Sequence, residues 1–309
     1  MADLERSELV GTVIDGHYRL VEILGIGGTG VVFEATRLHD AHPVVLKVLR
    51  HTYAQHVDLR RRLLREAEIS QRLSHPGLAR FLDTGRLEDS SPYLVAERLR
   101  GESLSRLLRR FGTLSVQETS VIFARVASIL HHVHGAGYVH RDIKPEHILL
   151  DRRRDGGLDV KLIDFGVCAS ETAPSDERAR ERGRVFGTPS YCAPEQACGD
   201  PEVDGRADVF GMGVCVFECL AGRLPFRASN VTSLLKRILR EDAPRVGLVT
   251  SHVGVEMDAL VARAMARERE QRYPSARAFA RALQPFAGSA ASIERRLAAT
   301  VRSASAIAA

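Results

Sequence analysis

Tyr138-Val139-His140-Arg141-Asp142-Ile143-Lys144-Pro145-Glu146-His147-Ile148-Leu149-Leu150 concentrates charge between the end of one predicted helix and the start of an apolar strand. A carboxylate at Asp142 can orient a hydroxyl and take up its proton, while the ammonium at Lys144 offsets charge on a transferred group. Lysine is scarce here: of 44 basic residues only Lys47, Lys144, Lys161 and Lys236 are lysine, and the rest are arginine. Under that bias, a position that keeps lysine is one where a compact, rotatable ammonium has a use.

Further along, Val160-Lys161-Leu162-Ile163-Asp164-Phe165-Gly166 ends a strand in a carboxylate suited to hard Mg²⁺. Toward the N-terminus, Lys47 lies in the predicted strand Val44-Val45-Leu46-Lys47, where an inward-facing ammonium is costly unless it meets an anion. Glu66, on the apolar face of the next predicted helix, has the opposite need. A Lys47–Glu66 ion pair satisfies both and aims the ammonium at phosphate oxygens. Gly25-Ile26-Gly27-Gly28-Thr29-Gly30-Val31-Val32 lies between the first two strands, and its glycines let backbone N–H groups come close to an anionic ligand. The loop leads into another strand, which excludes a Rossmann turn, and no G-K-[ST] follows it for a P-loop.

Around these motifs the first hundred residues read mostly as strands. Tyr18 to Leu24, Val31 to Thr36 and Val44 to Leu49 form a three-strand meander, with further strands at Leu78 to Asp83 and Tyr93 to Glu97. A helix over Asp58 to Leu73 puts Leu59, Leu63, Glu66, Ser70 and Leu73 on one face and stops at Ser74-His75-Pro76-Gly77. From Ser103 the pattern is helical. Ser115-x-x-Glu118 is a capping box ahead of Ile122, Val126, Ile129, Leu130 and Val133. Val209 to Ala221 is apolar almost all round, the pattern of a buried helix. Val231 to Arg240, Glu256 to Ala266 and Ser275 to Leu283 give three more. After Pro285 the chain turns to Ala and Ser, and the expectation there is a frayed tail with only a weak helical face at Ile293, Leu297 and Val301.

The bulk composition of 309 residues, 44% hydrophobic and 27% charged, is globular. No run reaches the ~18 apolar residues of a spanning helix, and the start lacks the apolar core of a signal peptide. The expectation is a soluble cytoplasmic protein with no membrane partner. Five cysteines without a C-x-x-C pair suit free thiols in a reducing compartment. The net charge of +5 is spread along a chain with 6% aromatics, so no nucleic acid is expected as a partner. His131, His132, His134, His140 and His147 lack carboxylate or cysteine partners at zinc spacing.

The ordered H-R-D, D-F-G and A-P-E motifs, over about Tyr18 to Phe286, resemble a eukaryotic-like (Hanks-type) protein kinase of the bacterial Ser/Thr type. The resemblance implies an α+β, two-lobed protein-kinase-like fold, with a small antiparallel β lobe carrying one helix and a larger, mostly helical lobe. The domains would be an N-terminal extension at 1–17, a kinase domain at 18–286 (lobes 18–98 and 99–286), and an Ala/Ser-rich tail at 287–309. By the same resemblance Gly25, Gly27, Gly28, Gly30 and Val32 would cover ATP, with Val45 over adenine and Leu149 also lining the nucleotide site. Lys47, held by Glu66, would contact the α- and β-phosphates. Glu97 to Leu99 would form the hinge, behind which the small Ala96 leaves room for bulky N6-substituted ATP. Asp142 would be the catalytic base, Lys144 the γ-phosphate contact, and Asp164 the main Mg²⁺ ligand. Asp208 would brace the catalytic loop and Glu195 would pair with Arg272. The implied partners are ATP and a protein bearing Ser or Thr, with a transient homodimer for autophosphorylation left open.

Three positions depart from the family. His147 stands where the family has a metal-binding Asn, so the resemblance implies weak or Mn²⁺-favoring activity; the alternative is a pseudokinase serving as a nucleotide-binding or scaffold module. Val45 replaces a usual alanine. The stretch Ala179 to Arg184 carries arginines where a phosphorylated Thr often pairs with the Arg equivalent to Arg141. Control by Thr172 or Ser175, or none by phosphorylation, is the expectation.

Overall fold

The computed structural model describes residues 6–153, 155–170 and 181–301. The chain divides into two compact units, one of residues up to Glu102 together with Ile163–Gly166, the other of Ser103–Leu162 and Val167–Val301.

In the first unit, β1 (Val13–Ile14), β2 (Tyr18–Ile26), β3 (Gly30–Arg37), β4 (His42–Leu49), β5 (Phe81–Arg86) and β6 (Pro92–Glu97) form one antiparallel sheet in the order β1-β2-β3-β4-β6-β5. Its strands are rich in β-branched residues and alternate between faces. Val31, Phe33, Val44, Leu46 and Val48 fill the main core on one face. Val32, Val45 and Lys47 are therefore thrown to the other. There α1 (Val57–Arg72) packs, with Leu63 and Ala67 against Leu49 and Leu94.

One sequence expectation needs correction here. The strand predicted over Leu78 to Asp83 starts at Phe81, because Leu78 is spent in a turn that donates its N–H to the His75 carbonyl. Residues 6–17, expected as an extension ahead of the kinase domain, lie against the same sheet. Val13–Ile14 joins the sheet, and buried Arg6 donates to the Leu49 carbonyl and the Ser91 hydroxyl.

The second unit begins at Ser103, the last residue of β7 (Glu102–Ser103), and continues into α2 (Leu104–Phe111) and α3 (Val116–Gly135). The Ser115–Glu118 capping box is formed in both directions. The expected apolar positions of α3 from Ile122 to Val133 are buried. After β8 (Tyr138–Val139), β9 (Ile148–Arg152) and β10 (Leu158–Leu162) make an antiparallel hairpin, and β11 (Ala169–Ser170) pairs back on β8. Then come α4 (Pro194–Ala197), α5 (Arg206–Ala221), α6 (Val231–Arg240), α7 (Val255–Ala264) and α8 (Ala276–Leu283). The nearly uniform apolarity of α5 is matched by burial from Ala207 through Phe217.

The expected frayed tail is instead α9 (Ala290–Thr300). Leu297 and Ala298 are buried, and Glu294 takes a two-pronged bond from Arg125 of α3 at 2.5 and 3.1 Å. Alanine has the highest intrinsic helix propensity, so a short apolar stripe is enough once α3 offers a surface.

Candidate active site

Strand alternation and helix phase together bring Lys47 to Glu66. Lys47 sits opposite Val32 in the β3–β4 register, and its Nζ donates to both carboxylate oxygens of Glu66 at 2.9 and 3.0 Å. Asp164 Oδ1 lies 3.4 Å from the same nitrogen. Burial alone would lower the ammonium's pKa, but the Asp164 and Glu66 carboxylates raise it above its ordinary value. Burial pushes the Glu66 carboxyl up to about 7, opposed by Lys47. Asp164 has φ +67°, a left-handed conformation that Asp tolerates better than most residues, and its Oδ1 accepts the Gly166 N–H at 3.1 Å. A Cβ at Gly166 would stand 3.1 Å from that oxygen and 3.3 Å from Glu66 Oε2, so glycine lets the turn close over both carboxylates.

On the same face Val32 and Val45 cluster with Leu24, an apolar partner that sequence reasoning did not single out. In the glycine loop the Gly27 N–H donates to the Gly30 carbonyl. A Cβ at Gly30 would come to 3.0 Å from the Val48 carbonyl, whereas one at Gly28 meets nothing within 4 Å. Glu97 ends β6 and accepts the Arg80 N–H at 3.1 Å. Leu99 is buried, and its carbonyl accepts from Arg98, which also pairs with Glu34 at 2.7 Å.

The second unit assembles the charged loop read first in the sequence. Lys144 Nζ donates to Asp142 Oδ2 at 3.0 Å and to Thr188 Oγ1 at 2.9 Å, and Asp142 Oδ1 accepts the Thr188 N–H at 2.7 Å. Burial would raise the Asp142 carboxyl, but the neighbouring His147 and the Lys144 ammonium, together with the bond from Thr188, hold it below the usual range. It is a carboxylate at neutral pH. His147 Nδ1 lies 3.0 Å from the Asp142 carbonyl oxygen and 3.6 Å from Oδ2, so that nitrogen is turned onto the loop itself. Leu149 is buried in β9.

Beneath the loop, Asp208 in the first turn of α5 accepts the N–H groups of His140 and Arg141 at 2.9 and 2.8 Å, and meets His134 Nε2 at 2.8 Å. Burial acts to raise the Asp208 carboxyl, yet His134 and the His140 N–H hold it below the ordinary value. Glu195 forms the expected fork with Arg272 at 2.7 and 2.8 Å, and three backbone carbonyls take the remaining guanidinium donors. Among the described residues, no three His, Cys, Asp or Glu side chains converge as a ready metal cage. None of their helices is long and apolar enough to cross a membrane.

A family model described as the protein kinase domain matches residues 18–282. The chain belongs to the protein kinase domain family.

Its relatives point to the bacterial Ser/Thr branch. It is 36% identical over 283 residues to the serine/threonine-protein kinase pkn3 of Myxococcus xanthus, covering 91% of this chain and 52% of that one. To PknH of Mycobacterium tuberculosis it is 34% identical, over 89% of this chain and 42% of the relative. To PknL of the same species it is 34% identical, over 97% and 73%. The chain thus spans about half the length of the first two relatives. In kinase terms, the structure forms the lysine–glutamate pair and the ordered catalytic loop within their respective units. The partners that sequence reasoning missed are His134 beneath Asp208, Gln196 on the Arg141 carbonyl at 2.8 Å, and Glu181 on the Arg141 guanidinium. No motif spacing signals them. Thr172 and Ser175, proposed as control sites from sequence, lie outside the described residues.

Proposed function

We propose that this chain is an ATP-dependent protein serine/threonine kinase that moves the γ-phosphate of ATP to Ser or Thr hydroxyls. The observation that carries the reading is Lys144 bridging the Asp142 carboxylate and the Thr188 hydroxyl. Asp142, kept ionised, orients the acceptor hydroxyl and takes its proton late in transfer, and Lys144 offsets charge on the moving phosphoryl group. Lys47, fixed by Glu66, meets the α- and β-phosphates. Gly25, Gly27, Gly28 and Gly30 cover them, Val32, Val45 and Leu149 flank adenine, and Glu97 to Leu99 serve as the hinge.

Mg²⁺ neutralises phosphate charge when bound. The Asp164 carboxylate suits such a hard cation. His147 does not, since it brings nitrogen in place of oxygen and its Nδ1 faces Asp142. Imidazole nitrogen suits Mn²⁺ better, and losing one oxygen contact lowers the rate by roughly 10²-fold with Mg²⁺. The reading is therefore a slow, Mn²⁺-favoring kinase. Phosphate transfer from labelled ATP to myelin basic protein, with Mg²⁺ and then Mn²⁺, tests it. Wild type should work better with Mn²⁺, Asp142→Asn should lose the signal, and His147→Asn should raise it in Mg²⁺. ATP binding without transfer under either metal would favor the pseudokinase alternative, a scaffold that holds nucleotide.

A further inference from the structure

Arg141, beside the catalytic Asp142, is a buried cation at the centre of three contacts. Its Nε donates to the Val167 carbonyl at 2.7 Å, and its guanidinium lies over the Phe186 ring, 4.5 Å from the centroid. The two terminal nitrogens fork onto one carboxylate, with Nη1 to Glu181 Oε2 at 2.6 Å and Nη2 to Glu181 Oε1 at 3.3 Å. Only 6% of the Arg141 side chain is exposed. A guanidinium taken that far from water needs an anion, and a planar two-oxygen group matches its donors in direction as well as in charge.

Glu181 is itself held in place. The Arg184 N–H donates to the Glu181 carbonyl, and the Gly183 N–H donates to the Gly199 carbonyl just beyond α4. A Cβ at Gly199 would fall 2.7 Å from the Gly183 backbone, so the two glycines allow this close approach. From Asp176 through Gly187 the chain has no Ser, Thr or Tyr, and hence no hydroxyl that could present a phosphate from this stretch. A phosphate arriving from elsewhere would have to displace a carboxylate already seated on both nitrogens.

We propose that Glu181 is the built-in counterion of Arg141, a positioning residue that sets the segment 181–187 and the catalytic loop in their working arrangement without phosphorylation. This rests on the kinase reading for its effect on rate, but not for its effect on the segment's order. Arg141 donates its own backbone N–H to Asp208 and is joined to Asp142 by one peptide bond, so a side chain that fixes Arg141 also fixes the base. The two-oxygen anion is the working feature, because glutamine keeps the size but removes the charge and turns an N–H₂ donor toward one of the guanidinium nitrogens.

Two measurements on the full chain test it, alongside thermal unfolding to confirm folding. In the first, kcat and KM for ATP are measured for wild type, Glu181→Gln, Glu181→Asp and the triple variant Ser170→Ala/Thr172→Ala/Ser175→Ala. Glu181→Gln should lower kcat by about tenfold or more with KM within about twofold, Glu181→Asp should recover part of it, and the triple variant should stay within about twofold of wild type. A Glu181→Gln enzyme as fast as wild type, or a triple variant slowed by about tenfold, overturns the proposal. The second is limited trypsin cleavage after exposed Arg182 and Arg184, which needs no catalysis. Glu181→Gln should be cut about fivefold faster than wild type, and equal rates overturn the proposal. If wild type transfers no phosphate at all, the kinase reading fails on the first measurement while the second still decides whether Glu181 orders the segment.

Discussion

Asp208 shows how much one buried carboxylate can organise. It accepts two consecutive backbone N–H groups of the catalytic loop and a third bond from His134, at full burial. Asparagine offers one carbonyl oxygen and turns an amine toward a remaining donor, so Asp208→Asn should cost about 3 kcal/mol at pH 7 in denaturant unfolding. Because the folded pKa is depressed, the carboxylate's contribution is full above the unfolded value near ~3.9 and is lost as pH falls through the folded one. The gap between wild type and variant should begin to narrow below about pH 4 and shrink further with each step down, and a gap that does not narrow as pH is lowered would refute the assignment. Ala96 makes a different residue-level case. It pairs with Val45 across β4 and β6, so the two side chains share a face, and a methyl there leaves space beside the proposed adenine site. N6-benzyl-ATP should bind wild type, and Ala96→Met should weaken that analogue by about tenfold while leaving ATP within about twofold. Equal affinity of both proteins for the analogue would remove Ala96 from the site.

At the scale of elements, α9 is the clearest divergence from the sequence pattern. Leu297 is 2% exposed, so Leu297→Ala should cost about 2–4 kcal/mol in chemical denaturation. A change under about 0.5 kcal/mol would mean that the helix is not packed on α3. The reason α9 was illegible is physical. Its stripe is narrow and its stability comes from a surface on α3, including Arg125, which lies 169 residues away from Glu294. The opposite holds for β3, β4 and α3, whose strong alternation or helical period fixes their burial locally. The same division runs through the site. Lys47 and Glu66 were legible because each buried charge needs a partner and their elements adjoin in sequence. Glu181 and His134 were not, because nothing in their own neighbourhoods announces the partner that folding delivers.

For the molecule as a whole, the near replacement of lysine by arginine makes function readable by chemistry. Arginine keeps its charge in every environment and serves surface pairs and the Glu195–Arg272 fork alike, so it carries little information about a site. Lysine is informative by its rarity: two of the four, Lys47 and Lys144, make the bonds on which the proposed function rests, while Lys236 stands exposed on α6. An ATP acyl-phosphate, which transfers its acyl tag to an amine held near the bound phosphates, should therefore mark Lys47 and Lys144, and excess ATP should suppress both marks. Lys236 should react equally with and without ATP, giving an internal control for random acylation in the same digest. Peptide mass spectrometry reads all four positions at once. Tags on Lys236 and Lys161 alone, or tags on Lys47 and Lys144 that ATP does not suppress, would place the nucleotide elsewhere and remove the basis for phosphoryl transfer by this chain.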